Sequence, residues 1–305
     1  MRTGGRALVQ FVRMELQFLS GEPDAVTEYG RQALELFQAL NDHWGISAVQ
    51  YHHGLALHRA GRLQAALAVH EAALAHGRRG LTNMVPYVLA DLAHITLELG
   101  DPDRVAQHFT EAHFVARQLG GDGSAAAAPG EGHLARDRGD LGTAARRYDQ
   151  SRRWLIGQAT PEWAAAALNG LGFTAALRAN LDDAAAYHRS AWQVAAHSPA
   201  AGARAAATAL EGLAGVAAIR GDGSRAAELL GTAARWRQWR HQPPLRREQH
   251  DIDRATAHAR DLFGEPAYRQ AYTRGLQPPP GAVVDPEQPV EPQLAAWLRQ
   301  PVPST

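Results

Sequence analysis

A helix-breaking signal recurs along this chain at intervals of about 40 residues, and a repeat of that length constrains the fold more than any other feature. It reads SGEPDAV, AGRLQAA, LGDPDRV, RGDLGTA, ANLDDAA and RGDGSRA, led by Gly21, Gly61, Gly100, Gly139, Ala179 or Asn180, and Gly221. Each signal is preceded by an apolar stretch such as VQYHHGLALHRAG and followed by another such as AALAVHEAALAHG. Their apolar residues return every three or four positions, the period of a helix rather than a strand. Glycine permits the left-handed conformation that closes a helix, and the Asp or Pro after it opens the next. Each unit therefore reads as a hairpin of two antiparallel helices.

Small residues keep register with the turns. Five positions after the turn residue stand Val26, Ala66, Val105, Ala144, Ala184 and Ala226; seven further stand Ala33, Ala73, Ala112, Ser151, Ala191 and Ala233. Seven before it stand Gly54, Ala93, Gly132, Gly172 and Ala214, with Met14 breaking the column in the first unit. Helices approach closely only where side chains are small, so these columns mark contacts within and between hairpins. The pattern resembles the tetratricopeptide repeat, whose usual unit is about 34 residues. The longer unit here implies longer helices or connections, and most consensus aromatics are missing. The resemblance implies an all-α, right-handed superhelical solenoid of about six hairpins. The array is expected over residues 1–240, with breaks near 21, 61, 100, 139, 180 and 221. Pro129 falls inside the first helix of the fourth unit, which is expected to start near Pro129 or to kink there, beside a long surface loop.

After the sixth unit a Pro243-Pro244 break separates two more helical stretches, about Leu245 to Phe263 and Pro266 to Arg274, which should cap the array over residues 241–276. This region resembles the closing segment of large bacterial transcriptional regulators of the LuxR and antibiotic-regulatory types with a signal-transduction ATPase module, including their maltose-activator-like helical arms. The residues that carry the resemblance are Leu229-Leu230-Gly231, Ala233, Pro243-Pro244, Asp253, Ala259-Arg260, Gly264-Glu265, Ala267, Ala271 and Gly275. It implies a ligand- or partner-sensing arm. The chain departs from those regulators in two ways: it has no Gly-x-x-x-x-Gly-Lys-Ser/Thr, and no helix-turn-helix follows residue 276. Residues 277–305 carry eight prolines and read as a disordered tail, with one short helix around Gln293 to Arg299.

Composition narrows the chemistry. The chain has no cysteine, which removes disulfides, thiolate zinc sites and cysteine nucleophiles. All 31 basic residues are arginine, which removes Schiff-base and P-loop lysines. They balance 31 acidic residues, so no net field draws the chain to nucleic acid or an anionic membrane. Arg13 and Glu15 interrupt the only candidate signal-peptide core, and no apolar run reaches the ~20 residues of a membrane span. A cytoplasmic location is expected. Fifteen histidines do not fall at metal-binding spacing: His52 and His53 are adjacent, and His108 and His113 are five apart. Arg138-Gly139-Asp140 and Arg220-Gly221-Asp222 read as helix ends with caps. In Arg235-Trp236-Arg237-Gln238-Trp239-Arg240 the tryptophans read as core and the arginines as a solvated edge; Trp44, Trp154, Trp163 and Trp192 also read as core or inter-repeat packing.

No local signature of a nucleophile, paired carboxylates or a catalytic triad is present, so no enzyme activity and no cofactor or metal is expected. A solenoid instead offers an extended surface built from the first helix of each hairpin. Aligning the units places Tyr51, His52, His58, Arg59, Asp91, His94, Glu98, His133, Arg136, Asn169 and Glu211 there. The expected partner is a protein or peptide, with a small-molecule effector as a further class and no direct nucleic acid or membrane contact. The alternative function is a stand-alone peptide-binding adaptor of co-chaperone type, in which arginine would have to replace the lysines of a carboxylate clamp.

Overall fold

The structure, a computed structural model, describes residues 3–20, 23–80, 83–119, 124–155, 161–196, 203–239 and 242–277. Among them it contains fourteen helices and no strand. Met1–Arg138 and Gly139–Thr305 form two compact units. The first holds α1 (Thr3–Ser20), α2 (Pro23–Ala39), α3 (His43–Arg59), α4 (Leu63–Arg79), α5 (Val85–Leu99), α6 (Pro102–Gln118) and α7 (Ser124–Asp137). The second holds α8 (Leu141–Leu155), α9 (Pro161–Leu177), α10 (Leu181–Ala196), α11 (Ala203–Ile219), α12 (Gly223–Trp239), α13 (Arg246–Phe263) and α14 (Glu265–Leu276). The chain is an all-α, tetratricopeptide-like helical solenoid.

The turns explain the hairpins. At the end of α3 the Gly61 N–H bonds to the His58 carbonyl and the Arg62 N–H to the Leu57 carbonyl, both at 2.9 Å. This is the Schellman arrangement, which needs a left-handed residue just past the helix; Gly61 supplies it at φ +72°. Gly100 and Gly221 close α5 and α11 the same way, and Ala179 closes α9 at φ +60° with no glycine to relieve it. The next residue then caps the second helix: Asp101 accepts from the Arg104 N–H, Asp140 from Thr143 and Asp222 from Arg225. Both Arg-Gly-Asp tripeptides thus serve as helix end and cap.

Within the first unit α1 pairs with α2, α3 with α4 and α5 with α6, while the first helices stack α1 on α3, α3 on α5 and α5 on α7. Within the second, α9 pairs with α10 and α11 with α12, α9 stacks on α11 and α11 on α13. The cap continues this logic, because α13 takes a first-helix place and α14 packs closely on α12. The two small-residue columns after the turns are buried in every unit, at 3% exposure or less. α5 is apolar on nearly all sides, as VPYVLADLAHITLEL demands, and is the most enclosed helix of the first unit.

Two expectations need correction. Helix α7 begins at Ser124, not near Pro129, so Pro129 lies inside the helix, past its first turn, and leaves the Ala125 carbonyl without its intrahelical donor. Arg237 is 6% exposed and belongs to no solvated edge. Trp44, 37% exposed, takes the inter-repeat place expected of it, packing from α3 against Phe11 of α1 and Phe37 of α2 edge-on. Trp192 is buried as expected and meets Trp236 edge-on. The side chains of Trp154 and Trp239, and the tail beyond 277, lie outside the described residues.

Candidate functional site

In the first unit the stacked helices α3, α5 and α7 carry nine of the eleven expected surface residues. Their centre is Asp91 on α5, 3% exposed, which accepts a hydrogen bond from the Tyr51 hydroxyl on α3. The other carboxylate oxygen, Oδ2, is buried and has no hydrogen-bond partner. Burial pushes the Asp91 carboxyl up to about 7, against the pull of Tyr51 and of the Arg59 guanidinium. Burial and the Asp91 charge likewise push the Tyr51 phenol well above its ordinary value. Arg59 lies over the Phe18 ring, 3.8 Å from its centroid, which fixes the cation beside the carboxylate.

His52 points from α3 toward α1. Its Nδ1 lies 2.9 Å from the Ala48 carbonyl and its Nε2 3.3 Å from a Glu15 oxygen, with Phe11 and Phe18 edge-on to the ring. Burial and Arg59 hold the imidazole below its usual value, so it is neutral near pH 7 and donates from Nδ1 to the carbonyl. On the next helices the His94 ring lies 6.2 Å from that of His133 and 6.4 Å from Phe109. Glu98 is buried one further turn along α5; His58 and Arg136 complete the set on α3 and α7. The helix stacking thus brings Tyr51, Arg59 and Asp91 together, and His94 with His133.

Asn169 and Glu211 stand in the second unit and are engaged by their own neighbours. Asn169 Nδ2 donates to the Ala205 carbonyl at 2.8 Å, and its oxygen faces His188 Nδ1 at 3.0 Å, tying α9 to α10 and α11. Glu211 receives Arg237 in a fork, Nε to Oε1 at 2.6 Å and Nη2 to Oε2 at 2.8 Å. Arg237 also donates to Glu248 Oε2 at 3.2 Å, which Arg204 reaches at 2.7 Å and the Leu245 backbone N–H at 2.8 Å. Burial acts against the Glu248 carboxylate, but Arg204, Arg237 and that N–H outweigh it and hold the carboxyl at about 2. Burial also opposes the Arg237 cation, and the two carboxylates overcome it, keeping it charged. Glu211 is pushed up by burial, yet both its oxygens accept from a fixed cation, so the geometry holds the ionised form.

Arg204, Arg237 and Glu248 escaped sequence reasoning because their partners lie 11 to 44 residues away. Only Glu248, three residues into α13 from Leu245, had a local signal, that of a capping residue. A second pair was also missed: His43 and His76 approach at 3.1 Å between their Nδ1 atoms, across α3 and α4. Among the described residues no group of three His, Asp or Glu stands close enough to hold a metal ion, and no helix is long and apolar enough to cross a membrane.

No protein-family model matches the chain, and no curated protein does. Among solved structures it is similar to BtubC (BKLC) from P. vanneervenii, at 21% identity over 59% of this chain and 76% of that one, with a TM-score of 0.45. It is also similar to the TPR2AB domain of yeast Sti1, in a structure described as a pHSP90 complex, at 16% identity over 90% of this chain and 100% of that one, with a TM-score of 0.32.

Proposed function

We propose that the chain is a non-catalytic binding module that takes a protein or peptide partner on the α3–α5–α7 face. One observation carries the reading: helix stacking gathers Tyr51, Arg59 and Asp91 on α3 and α5 and sets His94 beside His133 on α7, a cluster of polar groups on one series of first helices. A peptide or small polar ligand suits this mixture of histidines, carboxylates and arginines better than a polyanion does. The regulator-like residues of α12 to α14 support a role as the sensing arm, or a stand-alone relative of the sensing arm, of a bacterial transcriptional regulator.

The test compares native partners captured by wild type and by a His58→Ala, Asp91→Ala, His94→Ala triple variant, each partner then remeasured as a purified protein. The variant should fold and lose its partner. A folded variant that keeps full affinity defeats the assignment of this face. The purified protein should neither hydrolyse ATP nor bind duplex DNA tightly at physiological salt; nanomolar DNA affinity would overturn the functional class.

A further inference from the structure

Helices α11 to α14 line an open cavity of about 1040 Å³, one side of which is α14, the last helix before the proline-rich stretch. Tyr268 and Tyr272 stack along that side with ring centroids 5.8 Å apart, and Ile252 and Leu230 extend the apolar wall. Arg260 and Arg269 share a single carboxylate, Glu265, at 3.1 and 2.6 Å, so this side of the mouth holds two cations against one anion. Asp253, on the α13 wall, takes the Gln249 amide. The Gln242 side-chain oxygen lines the cavity, buried and without a hydrogen-bond partner.

Aromatic walls with amide side chains are what extended proline-rich segments dock against. The sequence contains such a segment, Pro286-Glu287-Gln288-Pro289-Val290-Glu291-Pro292. Its prolines recur every third residue, so in a three-residue-per-turn polyproline helix all three share one edge. Glu287 and Glu291, with Asp285 just before the segment, give it charge opposite to that of Arg260 and Arg269, which share only Glu265 between them. Reach is sufficient: the chain from Gln277 to Pro286 spans about 28 Å when extended at ~3.1 Å per residue, against about 18 Å for the whole of α14.

We propose that the cavity is a proline-recognition site and that its occupant is the chain's own segment 286–292, prolines on the tyrosine pair and carboxylates toward Arg260 and Arg269. The probe is a synthetic peptide of residues 284–293, titrated calorimetrically into full-length protein. A Pro286→Ser, Pro289→Ser, Pro292→Ser variant, its cavity vacated, should bind the peptide at roughly tens of micromolar. Wild type should bind it about ten-fold or more weakly, because a tethered occupant competes at roughly millimolar effective concentration. Adding Arg269→Glu, an exposed substitution that leaves the core untouched, should weaken the variant's binding about five-fold or more through lost charge complementarity. Absence of binding to the variant at millimolar peptide, equal affinity in wild type, or indifference to Arg269→Glu would each overturn the proposal.

Discussion

Gly54 on α3 lies against the ring of His70 on α4, so close that a Cβ at position 54 would come within 2.6 Å of the imidazole Nε2. One repeat earlier the volumes are exchanged. Met14 on α1 is fully buried and faces Gly30 on α2, where a Cβ would come within 3.0 Å of the Met14 sulfur. Met14 is therefore no irregularity: the first two hairpins each hold one large and one small residue at this crossing, and the first reverses which helix supplies which. The large member continues down the chain nine residues after each turn as Phe109, Tyr148 and His188, with Gly172 beneath His188.

Gly54→Ala should destabilise the protein by about 1–3 kcal/mol through overpacking. His70→Ala in the same chain should recover part of that loss, since it vacates the space the methyl needs. Urea unfolding of the two single variants and the double variant measures the coupling, and additive effects would mean that the two positions do not touch.

Gly231 on α12 and Gly275 on α14 meet backbone to backbone: a Cβ on Gly231 would strike the Tyr272 carbonyl oxygen, and one on Gly275 the Glu228 carbonyl oxygen. A side chain can rotate aside, whereas a helix backbone must move bodily. Gly231→Ala should therefore cost more than Gly54→Ala, despite the modest helix-propensity gain of alanine, and should raise hydrogen exchange across α14 first.

Ala179 closes α9 in a left-handed conformation, at a turn where Gly61, Gly100 and Gly221 do the same work. An L-residue pays about 1 kcal/mol there that glycine avoids. Ala179→Gly should raise the unfolding free energy by roughly that amount, and Gly221→Ala should lower it by a similar figure. Thermal melts of both variants decide it; a loss of stability in Ala179→Gly would contradict the turn geometry.

The pH response should differ between the units. Burial holds the His70 imidazole down at about 4, so the neutral ring's contribution is full above pH 6.5 and is lost as pH falls through 4. The raised Asp91 carboxyl acts oppositely, contributing most below about pH 4 and losing that contribution as pH rises through 7. Between pH 6.5 and 4 the two act in opposite directions in wild type. Asp91→Asn should unmask a progressive loss of stability between pH 6.5 and 4, read as a falling urea midpoint. In the second unit the depressed Glu248 carboxyl is present as a stabiliser above pH 4.5 and is lost as pH falls toward 2.

The sequence by itself determined the helices and where they turn. A glycine or its substitute at each break, an Asp or Pro behind it and small residues at fixed offsets are local instructions, carried by backbone sterics and capping, which act within a few residues. It also placed Tyr51, Arg59 and Asp91 on first helices, since helical register follows from counting. Only the tertiary structure decided which polar residues are engaged and which are open. Asn169 and Glu211 are polar first-helix residues like Asp91, yet one is clasped by His188 and the Ala205 carbonyl and the other by Arg237, while Asp91 keeps an unpartnered oxygen. The reason is physical: a buried charge takes its state from the groups within a few ångströms, and here those groups come from other helices, tens of residues away in a sequence whose local pattern does not pair them.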